Sequence, residues 1–326
     1  MTADEPQACC LPGRSGDGQR GADADYLAAA RAVPSVEAAT RRALRERLVR
    51  IPGGIFEMGT DLSTFPADFD SPRRAVSVSP FLIAPTAVPN AEFAAFVAAT
   101  GYRTVAEREG WSYVFYLLLA DPARWPASPP GLPWWRQVMG ACWAAPEGPG
   151  STLDARGDHP VVHMAWYDAL AYCTWAGLRL PREAEWEYAA RGGLAKRRFP
   201  WGDELMPDGA PAMNTFQGDF PDHDSAEDGY AGTAPVTAYR PNGYGLYNMT
   251  GNVWEWVSDR FGPRPGPAES PERDPEGPAT GYARVQRGGS YLCHDSYCDR
   301  YHVHSRTQND PDSSAGNNGF RVAASA

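Results

Sequence analysis

Two of the chain's six cysteines, Cys293 and Cys298, stand close together in "GGSYLCHDSYCDRYHVHSRTQNDPDSSAGNNGFRV", residues 288–322. Side chains five positions apart point to opposite faces of a strand and lie about 140° apart on a helix, so neither regular element aims both sulfurs at one centre. A bend between them would. Two converging thiolates with few other soft donors nearby suit Cu(I), which accepts two or three sulfurs, better than zinc, which takes four ligands. A local disulfide, or two unrelated thiols, is the competing reading of the same spacing.

Other donors are of a different kind. "MNTFQGDFPDHDSAEDGYAG" (213–232) and "YNMTGNVWEW" (247–256) crowd Asn, Asp and Glu onto glycine-punctuated loops. Such oxygen donors suit Ca2+, although Asn-Gly and Asp-Gly pairs also simply make turns. His302 and His304 alternate as on one face of a strand, a spacing that could ligate a metal such as iron. His159 and His163 have i, i+4 spacing, but Pro160 between them argues against a shared helical face. The polar run Arg306, Gln308, Asn309, Asp312, Ser313, Ser314 and Asn317 could line a groove for an extended peptide, and a solvated loop explains it equally well.

The elements that must position these groups are partly legible. Residues 1–25 carry no period and read as a disordered tail, and 26–46 as a helical arm interrupted by Pro34. From residue 47 onward a single domain is expected to run to 326. "LVRIPGGIFEMGTD" alternates around Pro-Gly-Gly, the pattern of a β-hairpin, and "NAEFAAFVAATG" switches to a helical period closed by Gly101. Trp166, Ala169, Leu170, Cys173 and Ala176 form one helical stripe ended by Gly177; a second helix opens at Pro181 with Glu183 and Glu185 in its first turn. After Phe199 helical periodicity is lost. With 33 Gly and 31 Pro, the fold class is mixed α+β with little regular structure and much shaped loop.

A net charge of −10 with no basic cluster beyond Lys196-Arg197-Arg198 excludes a nucleic-acid partner. No run is long and apolar enough to cross a membrane, and the N-terminus lacks the basic start and apolar core of a signal peptide. A cytoplasmic protein is expected, in which thiols stay reduced.

"LRLPREAEWEYAARGG", "FPWGDEL", "PNGYGLYNMTGNVWEW", "RGGSYLC" and "GFRV" occur in that order, and over residues 47–323 the chain resembles the formylglycine-generating enzymes and their sulfatase-modifying-factor relatives. The resemblance implies a loop-rich formylglycine-generating-enzyme/C-type-lectin-like fold. It implies Cu(I) held by Cys293 and Cys298, O2 as co-substrate, and a cysteine within Cys-x-Pro-x-Arg of an unfolded or nascent sulfatase converted to Cα-formylglycine. Ser290 matches the family's active-site serine, with Tyr297 a second candidate of that type. Trp254 matches its peptide-contacting tryptophan, and Arg306 and Asn317 fall among the groove residues. One structural Ca2+ would take Asn214 and Asp228 with the backbone oxygens of Thr215 and Tyr230. A second would take Asn248 and Glu255 with those of Gly251 and Val253. A monomer is expected. Secreted members pair the position of Cys173 with one that is Val322 here, and their other disulfide falls on Ala190 and His304, so both bridges are expected to be absent. An iron-dependent sulfoxide synthase or a non-catalytic binding module of the same fold are the alternatives.

Overall fold

Alternating apolar residues from Val49 onward do form strands, but they do not pair as the expected hairpin. In the computed structural model, which describes residues 11–13 and 20–326, Val49–Ile51 pairs antiparallel with Phe81–Ile83, whereas Gly54–Met58 pairs antiparallel with Arg74–Val78. Pro52-Gly53-Gly54 therefore carries the chain from one sheet to another. Gly53 sits at φ 73°, and a Cβ there would stand 2.5 Å from the Val78 carbonyl oxygen, so only glycine lets the backbone pass. Ala323–Ser325 completes the first sheet on the other side of Phe81–Ile83.

The central sheet has the order Arg306–Asn309, Arg284–Arg287, Trp254–Arg260, Asn318–Phe320. Its pairings are antiparallel except the last, where Asn318 to Phe320 run parallel to Trp254 to Trp256. Trp254 and Trp256 on one face and Glu255 and Val257 on the other are all buried, so neither face of this segment meets water.

Among the described residues six α-helices surround the sheets: α1 (Arg20–Arg31), α2 (Ala38–Glu46), α3 (Asn90–Thr100), α4 (Val105–Glu109), α5 (Trp166–Ala176) and α6 (Glu183–Ala190). Gly101 and Gly177 end α3 and α5 in the left-handed conformation, each at φ 65°, as their sequences require. The expected stripe of α5 is buried apart from half-buried Leu170, and Tyr26 and Ala30 of α1 pack over it. The reading of residues 1–25 as a tail needs correction where they are described: α1 already starts at Arg20, and Leu11 is buried. Residues 1–10 and 14–19 lie outside the described residues. Among the latter, no helix is long and apolar enough to cross a membrane.

Charge as well as apolar packing binds α6 to the central sheet. Glu183 accepts from Arg306 at 2.7 and 3.0 Å, from Arg264 at 2.7 Å and from Arg287 at 3.1 Å. Glu187, one turn on, accepts from Arg287 and Arg191, both at 2.7 Å. Burial pushes both carboxyls up, but Arg264, Arg306 and Arg287 hold Glu183 well below the usual range, and Arg191, Arg287 and Arg264 bring Glu187 to about 2. Removing one partner of such a set leaves uncompensated buried charge. Glu183→Gln is therefore expected to destabilise the fold by roughly 3–5 kcal/mol, read as a lower urea midpoint.

Candidate active site

Directly after the strand Arg284–Arg287, Gly288 and Gly289 take φ of 96° and 77°. A Cβ on Gly289 would meet the Arg300 carbonyl at 2.9 Å, so the chain can fold back on itself here only without a side chain. The Ser290 carbonyl then accepts from the Cys293 N–H at 3.0 Å, and the His294 carbonyl accepts from Tyr297 and Cys298 N–H at 3.1 and 2.7 Å. This single turn is the bend that the cysteine spacing demands.

It brings Cys293 Sγ to 3.8 Å from Cys298 Sγ, with both residues fully buried. A disulfide would need about 2.05 Å, so the two sulfurs are not bonded to each other. With metal–sulfur bonds of about 2.3 Å, two sulfurs on one ion at tetrahedral to trigonal angles lie roughly 3.8–4.0 Å apart. The pair thus fits a soft monovalent ion without rearrangement. Among the described residues no group of three or more His, Cys, Asp or Glu converges as a metal site, so any further ligand must come from outside this set.

Each sulfur also has a donor. The Ser290 N–H points at Cys293 Sγ at 3.4 Å, and Arg300 Nη1 lies 3.6 Å from Cys298 Sγ. A guanidinium beside sulfur favours the thiolate, the form that binds metal. Asp68 orients Arg300 by accepting from Nε and, at 3.3 Å, from Nη2, while the guanidinium lies 3.6 Å over the Phe65 ring. Burial pushes the Asp68 carboxyl up to about 6 against the pull of Arg300. Neither Arg300 nor Asp68 was anticipated; the only sequence signal was an arginine two places beyond the second cysteine.

Cys293 also borders a cavity of about 230 Å³, whose walls include Met213, Phe216, His294 and Tyr301 and whose rim carries Leu205 and Met206. Ser290 Oγ accepts from Asn317 Nδ2 at 3.1 Å and from the Leu292 N–H at 3.3 Å. Asn317 is fully buried and acts by fixing this serine, so it does not line an open groove. Trp254 shares an apolar cluster with both cysteines but is fully buried, a floor beneath the thiols instead of a surface for peptide. Tyr297 is half-buried, edge-on to Trp134 at 4.8 Å and stacked on Phe220 at 5.4 Å. Arg306 is not brought to the thiols: its guanidinium is committed to Glu183 and to the carbonyls of Asp68 and Gly262.

The two oxygen-rich sets differ. Asp228 accepts from the N–H groups of Thr215 and Tyr230, each at 3.0 Å, which gathers the first set around one carboxylate that burial pushes to about 6. Asn214 Oδ1 is buried with no hydrogen-bond partner, an oxygen that suits a hard cation. Asn248 Oδ1 in the second set is likewise unsatisfied. Glu255, however, already carries Arg321 bidentately, both contacts at 2.6 Å, and Trp186 Nε1 at 2.7 Å, so the second set fits less well as drawn.

His302 and His304 lie in a turn instead of on a strand, and their rings stack at 5.2 Å. Arg198 donates to His302 Nε2 at 2.9 Å, placing a cation where iron would need to bind. His163 is committed through both ring nitrogens to Ser112 and the Pro146 carbonyl.

A loop-rich mixed α/β fold of small sheets with a buried thiol pair at its heart defines the class, and comparison with known proteins defines it further. Residues 34–326 match the sulfatase-modifying factor enzyme 1-like domain. The chain is 58% identical over 286 residues to a formylglycine-generating enzyme of Thermomonospora curvata, covering 85% of this chain and 93% of that protein. It is also 43% identical over 284 residues to an inactive Cα-formylglycine-generating enzyme 2 of Bos taurus, covering 86% and 88%. PvdO from Pseudomonas aeruginosa shares the fold, with a TM-score of 0.59 at 24% identity over 86% of this chain and 94% of that one. The chain belongs to the sulfatase-modifying factor family.

Replacing Arg300 by Met removes the cation beside Cys298, and alkylation of that thiol by iodoacetamide at neutral pH is expected to slow on the order of tenfold. Burial, with Arg198 adding to it, lowers His302 to about 4; burial and His302 lower His304 to about 3. Both values lie below the ordinary 6.5, so these imidazoles contribute stability that is full above about pH 6.5 and is lost as pH falls toward 4. Neither ring should titrate between pH 8 and 5 by NMR, and His302→Gln should flatten the acid limb of the stability curve.

Proposed function

We propose that the chain oxidises a cysteine in a sulfatase to Cα-formylglycine, on a Cys-x-Pro-x-Arg segment presented unfolded or nascent. The observation that carries this reading is the pair of buried sulfurs 3.8 Å apart beside a cavity that reaches Cys293. Cys293 and Cys298 would hold Cu(I), which when bound supplies the affinity for the substrate thiol and for O2 that no side chain here possesses. Burial keeps bulk water from the sulfurs, and the Ser290 N–H and Arg300 each place a donor against one of them. Ser290 Oγ, fixed by Asn317, is the hydroxyl positioned to donate a proton beside Cys293. Leu205 and Met206, exposed at the cavity rim, offer apolar contact to an incoming peptide. Asn214, Thr215, Asp228 and Tyr230 would hold a structural Ca2+, which would brace the loop that walls the cavity through Thr215 and Phe216. The Asn248 set is the weaker candidate for a second ion. Two neighbouring cysteines not joined by a disulfide suit a reducing compartment such as the cytoplasm.

Copper-loaded protein with O2 and a thiol reductant is expected to convert a Cys-x-Pro-x-Arg peptide to its aldehyde, scored by mass and by hydrazine capture. Cys298→Ser should abolish conversion and leave the thermal midpoint unchanged. Unaltered peptide with the parent protein would instead favour a non-catalytic binding role.

A further inference from the structure

Leu11 belongs to no helix or strand, yet only 7% of it is exposed. Its neighbours in the apolar cluster are Cys293, Cys298, Tyr301, Trp254, Phe199 and Met213, so a side chain nearly three hundred positions away in sequence caps the thiol pair. Two further contacts anchor the segment. Asn309 Nδ2 donates to the Pro12 carbonyl at 3.2 Å, and Asn309 is itself held by the Asp310 N–H on its Oδ1 at 2.9 Å. Gly13 passes so close that a Cβ there would meet Asn309 Oδ1 at 3.2 Å. Asn309 is the last residue of the strand Arg306–Asn309, in the polar run that could line a peptide groove. Backbone carbonyl to side-chain amide is the contact by which such a groove holds an extended chain.

In sequence these three residues are the middle of Cys10-Leu11-Pro12-Gly13-Arg14, which has the spacing Cys-x-Pro-x-Arg. We propose that Leu11–Gly13 is a built-in occupant of the peptide groove, a substrate mimic in cis that must leave before a sulfatase segment can enter. This rests on the reading of the thiol site as a peptide site. The described part of the contact is three residues long, and such a contact is weak and reversible. Tethering compensates, because a segment joined covalently to the domain meets its site intramolecularly, at a high effective concentration. An incoming peptide then competes with the chain's own N-terminal segment, and its apparent affinity is reduced by the occupied fraction.

The test uses the full-length, metal-free chain and its Leu11→Asp variant, whose substitution lies outside every regular element and leaves the melting curve unchanged. Iodoacetamide labelling of Cys293 and Cys298, followed by mass spectrometry, should run at least about threefold faster in the variant, since the cap is lost. A fluorescent Cys-x-Pro-x-Arg peptide should bind the variant at least about threefold more tightly by polarisation. Equal labelling rates in the two proteins overturn the proposal whatever the peptide does. Faster labelling without peptide binding to either protein upholds the cap and counts against the sulfatase reading instead.

Discussion

One backbone turn sets everything else at the site. Two sulfurs out of water and within 3.8 Å of each other require the chain between them to reverse, and the His294 carbonyl closes that reversal by accepting from Tyr297 and Cys298. A turn so short has little stability of its own. It is held from outside: by Gly288 and Gly289, which let the chain enter, by Asn317 on Ser290, and by Asp68 on Arg300. These supports come from distant parts of the sequence, so the thiol geometry reports on the integrity of the whole domain.

The buried arginines supply that integrity. Arg287, Arg306 and Arg321 are almost wholly out of water, each tied bidentately or to two carboxylates. Buried guanidiniums are costly unless their forks are filled, and here Glu183, Glu187 and Glu255 fill them. The motifs "PREAEWE", "NVWEW" and "GFR" are the two halves of these pairs, which explains why segments far apart in the chain carry matched charge. In a fold with so little regular hydrogen bonding, such pairs do for the loops what ladders do for sheets.

Local signals were readable and remote ones were not. Helices α3 and α5 announced themselves by period and by a terminal glycine, and the cysteine spacing alone required a bend. Strand partners escaped, because Val49–Ile51 finds its neighbours at Phe81–Ile83 rather than across the adjacent glycines. Arg306 read as a solvated groove residue because its partner Glu183 lies elsewhere in the chain, and only the fold reveals that this charge is neutralised. Asn317 was expected among the groove residues, but it is buried and holds Ser290, a task that depends on an amide orientation that composition does not encode. Arg300 escaped for the same reason as Arg306, since Asp68 is remote. A three-residue segment such as Leu11–Gly13 is too short to show any period, and its burial is a property of the surface it meets.

The strand Ala323–Ser325 lies in the same sheet as Phe81–Ile83, next to which Val49–Ile51 is also paired. A ribosome delivers the first two of these segments early and the last one only after residue 325 has been made. Until then Phe81–Ile83 has only one of its two strand partners, so this sheet is completed by the last of its strands to be made.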